Sequence, residues 1–181
     1  MGSLVNVERF AGRPFEHARI VFVLVLRPKA YTALRRHGEE TYPEESCGVL
    51  VGLLEDNGRT AISAILCTNT RSDSPRNRYS IDPKDLVRIQ REARERGLDI
   101  VGFYHSHPDH PAQWSSTDLA EAHWLGCSYV ITSVMSGHAA ETRSFLLTGT
   151  ADEKEKEFVE EPIVQQDADN ENALEKSHPL R

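Results

Sequence analysis

The chain has 181 residues, enough for one domain with a proper core, and its net charge of −7 argues against a general nucleic-acid binder. The longest purely apolar run, Ile20 to Leu26, is far too short to span a bilayer, and the charged first nineteen residues do not look like a signal peptide. Three cysteines (Cys47, Cys67 and Cys127), odd in number and without C-x-x-C spacing, argue against a disulfide framework and point to a reducing, cytoplasmic setting.

After an N-terminal extension over 1–19, Ile20 to Leu26 reads as a buried strand. Pro28 then suits the first turn of a helix running to about Arg36, with Gly38 as its terminator. Glu39 to Glu44 is a polar connection and Ser46 to Leu54 the next strand. Asp56-Asn57-Gly58 signals a hairpin into a strand from Thr60 to Cys67. Asn69 to Arg78 reads as a solvated polar loop. Asp82-Pro83-Lys84-Asp85 starts a helix with an apolar stripe of Leu86, Ile89 and Ala93, and Gly97 ends it.

The apolar run Asp99 to Tyr104 reads as a strand that delivers two histidines to its end. A helix over about Thr117 to Leu125 follows, then strands over Ser128 to Met135 and Ala140 to Leu147, joined at Ser136-Gly137. Beyond 150 the composition turns acidic. Phe158-Val159 and Ile163-Val164 offer a last short strand, and the rest of 151–181 reads as a disordered tail. The mixed order gives an α/β layered domain over 20–150 whose topology the pattern leaves open.

His105-Ser106-His107-Pro108, with Ser115 and Asp118 downstream, carries the chemistry. Strand alternation points His105 and His107 to the same side, and Asp118 projects from the first turn of the next helix. Two imidazoles and a carboxylate are the ligands a catalytic zinc takes, with a fourth position left for water. Ser115-x-x-Asp118 is also a helix-capping box, which is compatible with a ligand role because a cap fixes the carboxylate. His110 and His123 are weaker candidates, His110 at the rim of the loop and His123 off the helix face of Asp118. H-E-x-x-H is absent, and so are the deaminase H-x-E with P-C-x-x-C and a Gly-rich phosphate loop.

The segment from His105 to Asp118 resembles the JAMM, or MPN+, signature of a family of zinc metalloproteases. That family also carries a glutamate in a Glu-x-Cys-Gly context ahead of an apolar strand, and Glu45-Ser46-Cys47-Gly48 matches it. The resemblance runs from about Ile20 to Leu147 with no signature element missing. It implies the MPN fold, a curved mixed sheet flanked by helices, and zinc held by His105, His107 and Asp118. It selects Glu45, not the adjacent Glu44, as general base, and gives Ser115 a part in stabilising the oxyanion. Trp114 stands where related bacterial sequences often have proline, which bears on the shape of the substrate groove.

The compact form is similar to the prokaryotic branch, whose substrates are ubiquitin-like or sulfur-carrier proteins cut after a C-terminal glycine; no nucleic-acid or membrane partner is implied. Two other readings stand beside it. One is a non-catalytic or partner-activated MPN scaffold; the other is a peptidase using the same zinc site on short peptides.

Overall fold

The computed structural model describes residues 22–55, 58–150 and 155–165. Eight strands form one mixed sheet: β1 (Val23–Leu26), β2 (Cys47–Glu55), β3 (Gly58–Cys67), β4 (Asp99–Pro108), β5 (Ser128–Met135), β6 (His138–Thr148), β7 (Glu157–Glu161) and β8 (Ile163–Gln165). Their order is β7-β6-β5-β4-β2-β3-β1-β8. The first and last strands of this order are separated in sequence only by Pro162, so the chain itself draws the two edges together and the curved sheet nearly closes. Arg59 of β3 and Glu161 of β7, both buried, pair at 3.5 Å across that seam, and Ser144 Oγ donates to Glu161 Oε1 at 2.8 Å.

Three helices accompany the sheet: α1 (Pro28–Thr41), α2 (Pro83–Glu95) and α3 (Ser116–Glu121). α1 buries Ala30, Leu34 and Gly38, one residue per turn, against Leu24, Leu26, Leu50, Val101, Tyr104 and Val130. α2 starts where the sequence says it should: the Asp82 side chain accepts from Lys84 N at 2.8 Å, and Gly97 follows its end at φ 71°. Its Ile89 and Ala93 pack on the other side of the sheet, with Val49, Val51, Phe103, Ile131 and Phe145.

Several boundaries differ from the sequence reading. Gly38 lies inside α1 instead of ending it, because a Cβ there would come within 3.0 Å of Val134 Cγ2 and 3.2 Å of Ser106 Cβ. Glycine at this position is a close approach of helix to sheet, and part of the predicted 39–44 connection is therefore helical. α3 stops at Glu121, short of Leu125, since Ala122 turns to extended backbone and enters the core while the Trp124 ring meets Phe103 edge-on at 5.4 Å. The histidines sit within β4, whose pairing with β5 continues through Pro108, and not beyond its end.

The predicted hairpin is formed, with β2 and β3 paired Glu55↔Gly58, although its turn residues 56 and 57 lie outside the described residues. So do residues 20 and 21 of the expected first strand, the 1–19 extension and the tail beyond 165. Phe158-Val159 and Ile163-Val164 fall in β7, which pairs with β6, and β8, which runs parallel to β1. No described helix is long and apolar enough to cross a membrane.

Candidate active site

β4 lies in the middle of the sheet, antiparallel to β2 and parallel to β5. Its register with β2 skips Val101, which puts Phe103, His105 and His107 on the α2 side of the sheet. His105 pairs with Cys47 and Ile131, and His107 with Ser133, so neighbours fix both backbones. The two Nε2 atoms lie 3.0 Å apart. Asp118 completes the group, with Oδ1 3.4 Å from His105 Nε2 and Oδ2 3.6 Å from His107 Nε2.

The carboxylate is held by the expected capping box. Asp118 N donates to Ser115 Oγ at 3.1 Å, while Ser115 N and Oγ both donate to Asp118 Oδ2 at 2.6 Å. His107 Nδ1 lies 3.0 Å from the Pro111 carbonyl, which can only accept, so Nδ1 carries the hydrogen and Nε2 keeps its lone pair. The His105 ring stacks on Tyr79 with centroids 4.7 Å apart, and its buried Nδ1 has no hydrogen-bond partner among the described residues.

This donor set fits a metal. His105, His107 and Asp118 each offer one ligand atom, and all of these lie within 4.8 Å of one another. Two imidazole nitrogens that close, beside a carboxylate, call for a positive charge between them. Nitrogen and oxygen donors in that ratio are what zinc takes when one position stays open.

The titrations follow the packing. Burial lowers His105, and the hydrogen bond and charge of Asp118 only partly offset this. For His107 burial again lowers, but the Asp118 contact, the Pro111 carbonyl and the charges of Asp118 and Glu45 outweigh it and leave the pKa raised. Burial by itself would raise Asp118; the close contacts with His105 and His107 and the hydrogen bond from Ser115 overcome it and hold the carboxyl well below the usual range.

Glu45 is only 4 % exposed, whereas Glu44 is exposed. Burial pushes its carboxyl from an ordinary 4.5 up to about 8; the His107 charge opposes the rise, and Asp118 and Glu121 add to it. Oε2 has no partner among the described residues. Gly48, in the same motif, sits where a Cβ would meet Ile65 O at 2.3 Å and the Tyr104 ring at 2.4 Å, so only glycine fits.

The other candidates lie apart from this cluster. His110 and His123 are exposed and do not belong to the three-residue group. Trp114 packs on Phe158 of β7 with ring centroids 5.7 Å apart. Sequence reading missed Tyr79 and Asn69. A lone aromatic in a polar loop was the only signal for the first, and Asn69 looked like any turn residue.

Residues 27–148 match the family described as prokaryotic homologs of the JAB domain. Desampylase from Haloferax volcanii is 41 % identical over 91 residues, half of this chain and 63 % of that protein. CysO-cysteine peptidase from Mycobacterium tuberculosis is 30 % identical over 143 residues, 79 % of this chain and 91 % of that one. The solution structure of a Desulfitobacterium hafniense protein, 27 % identical, superposes with a TM-score of 0.67 over 80 % of this chain and 93 % of that one. With signature, fold and relatives in agreement, the chain belongs to the prokaryotic JAB family, and so to the JAMM/MPN group of peptidases and isopeptidases.

Proposed function

We propose that this protein is a zinc-dependent JAMM peptidase that hydrolyses a peptide or isopeptide bond after the C-terminal glycine of a ubiquitin-like or sulfur-carrier protein. The observation that carries the reading is the convergence of His105, His107 and Asp118 on one face of β4, with the buried Glu45 near enough for the charges of His107 and Asp118 to act on its carboxyl. The names of the relatives, a desampylase and a CysO-cysteine peptidase, support the substrate class. The free, buried Cys47, Cys67 and Cys127 suit the cytoplasm.

In this reading His105, His107 and Asp118 hold the zinc. Bound there, zinc supplies Lewis acidity, polarising a carbonyl and lowering the pKa of water toward neutrality. Glu45 takes the proton from the attacking water and delivers it to the leaving amine as the C–N bond breaks. A carboxyl raised to about 8 by burial, then drawn down by a nearby cation, is suited to both halves of that transfer. Asp118 is kept ionised and aimed by Ser115. Ser115 Oγ, at the exposed rim, also serves the developing oxyanion once its hydrogen turns from Asp118. A diglycine tail suits such a site because only glycine lets an extended backbone lie so close to the reacting centre.

The test is a ubiquitin-like or sulfur-carrier protein from the same genome, extended past its terminal glycines, incubated with the enzyme and read by intact mass. A cut directly after the glycines, lost on chelation and restored by zinc, is the expected result. Stoichiometric zinc without any cut would move the assignment to a scaffold or a short-peptide peptidase, and failure to bind zinc would sink the metal site.

A further inference from the structure

We propose that Asn69 is a positioning residue for Glu45, holding the proposed base in place through its main chain; the proposal rests on the peptidase reading above. Glu45 lies outside the sheet, since β2 begins only at Cys47. Both of its backbone groups are tied to the 69–80 loop. Its N–H donates to Pro75 O at 2.8 Å, and its carbonyl accepts from Asn69 Nδ2 at 3.3 Å.

Asn69 uses both ends of its amide. Nδ2 also donates to Arg78 O at 3.0 Å, while Oδ1 accepts from Arg71 N at 3.0 Å and Ser80 N at 3.2 Å. Carbonyls on one side and N–H groups on the other fix which end is which. The side chain thus ties the two limbs of the loop together and fastens the closed loop to the Glu45 peptide. From the same loop, Tyr79 stacks on His105. On the far side the next peptide meets the metal strand, with Ser46 N donating to Ser106 Oγ at 2.8 Å and Ser106 N to Ser46 O at 3.1 Å. Glu45 is therefore set by β4 on one side and by Asn69 on the other, and losing the amide frees one side only.

The experiment compares wild type, Asn69→Ala and Asn69→Asp as full-length, zinc-loaded proteins. Asp keeps an oxygen for Arg71 N and Ser80 N but has no hydrogen for the Glu45 carbonyl. With the glycine-extended substrate, both variants are expected to lose about 10- to 100-fold in kcat, the cost of displacing a catalytic group by about 1 Å, with KM nearly unchanged. Amide hydrogen exchange at Glu45 N–H is expected to accelerate at least about tenfold in Asn69→Ala, while that of Ser106 N–H holds.

Wild-type kcat in Asn69→Asp would overturn the proposal, leaving Asn69 a loop organiser. So would a loss that tracks zinc content or melting temperature, or unchanged exchange at Glu45. If the wild type cuts no such substrate, the peptidase reading fails separately and the Glu45 exchange rate alone decides the clamp.

Discussion

The two halves of the site are built by different means. His105 and His107 stand on a central strand, His105 paired with both β2 and β5 and His107 with β5, so the two histidines of the proposed metal half inherit the rigidity of the sheet. Glu45 hangs just ahead of β2, held by side chains and a loop carbonyl. A zinc site must bring its ligands together to bind at all, whereas a group that moves protons must sit close to the metal without becoming a ligand. Sheet pairing serves the first need and a loop-held peptide the second. Substitutions in the two halves should therefore fail differently.

The largest effect is expected in the metal half. His107→Ala removes one of the three proposed ligands along with the Nδ1 contact to Pro111. Zinc should no longer copurify at one equivalent, and cleavage should fall to the chelated background. Zinc content and cleavage measured on the same preparation check this, and activity without zinc would break the comparison at its root. Glu45→Gln probes the other half: zinc should stay at one equivalent while kcat falls about 10²- to 10⁴-fold, the range for a lost general base. Loss of zinc in this variant would mean Glu45 supports the ligands and the two halves are not separate.

The same substitution has a stability signature in the metal-free protein. Glu45 titrates near its ordinary 4.5 when unfolded and near about 8 when folded, so between those values unfolding releases a proton and stability falls as pH rises. Below both values the group contributes no pH dependence, and above both the penalty is complete. Metal-free Glu45→Gln should match the wild type near pH 4 and exceed it above pH 8 by on the order of a few kcal/mol. Urea melts at the two pH values measure it, and parallel curves would show that the buried carboxyl carries no such strain. Zinc should shrink the gap, because a neighbouring cation stabilises the carboxylate.

The metal half was also the legible half. His105, His107, Ser115 and Asp118 lie within one short stretch, where strand alternation and a capping box translate spacing into direction. Glu45 was reached only through resemblance, since nothing local tells a glutamate at the head of a strand that it will be buried facing a histidine far along the chain. Asn69 and Tyr79 were unreadable for the same reason: their partners, Glu45 and His105, lie more than twenty residues away. Gly38 misled because a glycine near a helix end has two physical uses, a left-handed terminus and a close approach, and sequence cannot say which. The near-closure of the sheet was hidden as well, because it depends on β7 and β8 falling on opposite edges although only Pro162 separates them.

Gly48→Ala asks whether the sheet half is as rigid as the comparison requires. The new methyl would lie 2.3 Å from Ile65 O, a carbonyl of the paired strand β3, and 2.4 Å from the Tyr104 ring. That ring is 1 % exposed, and its hydroxyl is held by His37 Nδ1 at 2.9 Å. Neither neighbour has room to move, so overpacking should cost about 1–3 kcal/mol. Gly38→Ala is the matched control. Its nearest contact is the Val134 side chain at 3.0 Å, and replacing a mid-helix glycine returns up to about 1 kcal/mol of helix propensity. Thermal melts should therefore show a clear loss for Gly48→Ala and a small change for Gly38→Ala. Below its melting transition Gly48→Ala should keep its zinc and most of its kcat, because a rigid sheet takes up the strain as lost stability and leaves the ligands in place. A fall in kcat at full zinc content would show instead that strain in β2 reaches Glu45, three residues upstream, and that the base depends on the sheet as well as on its loop.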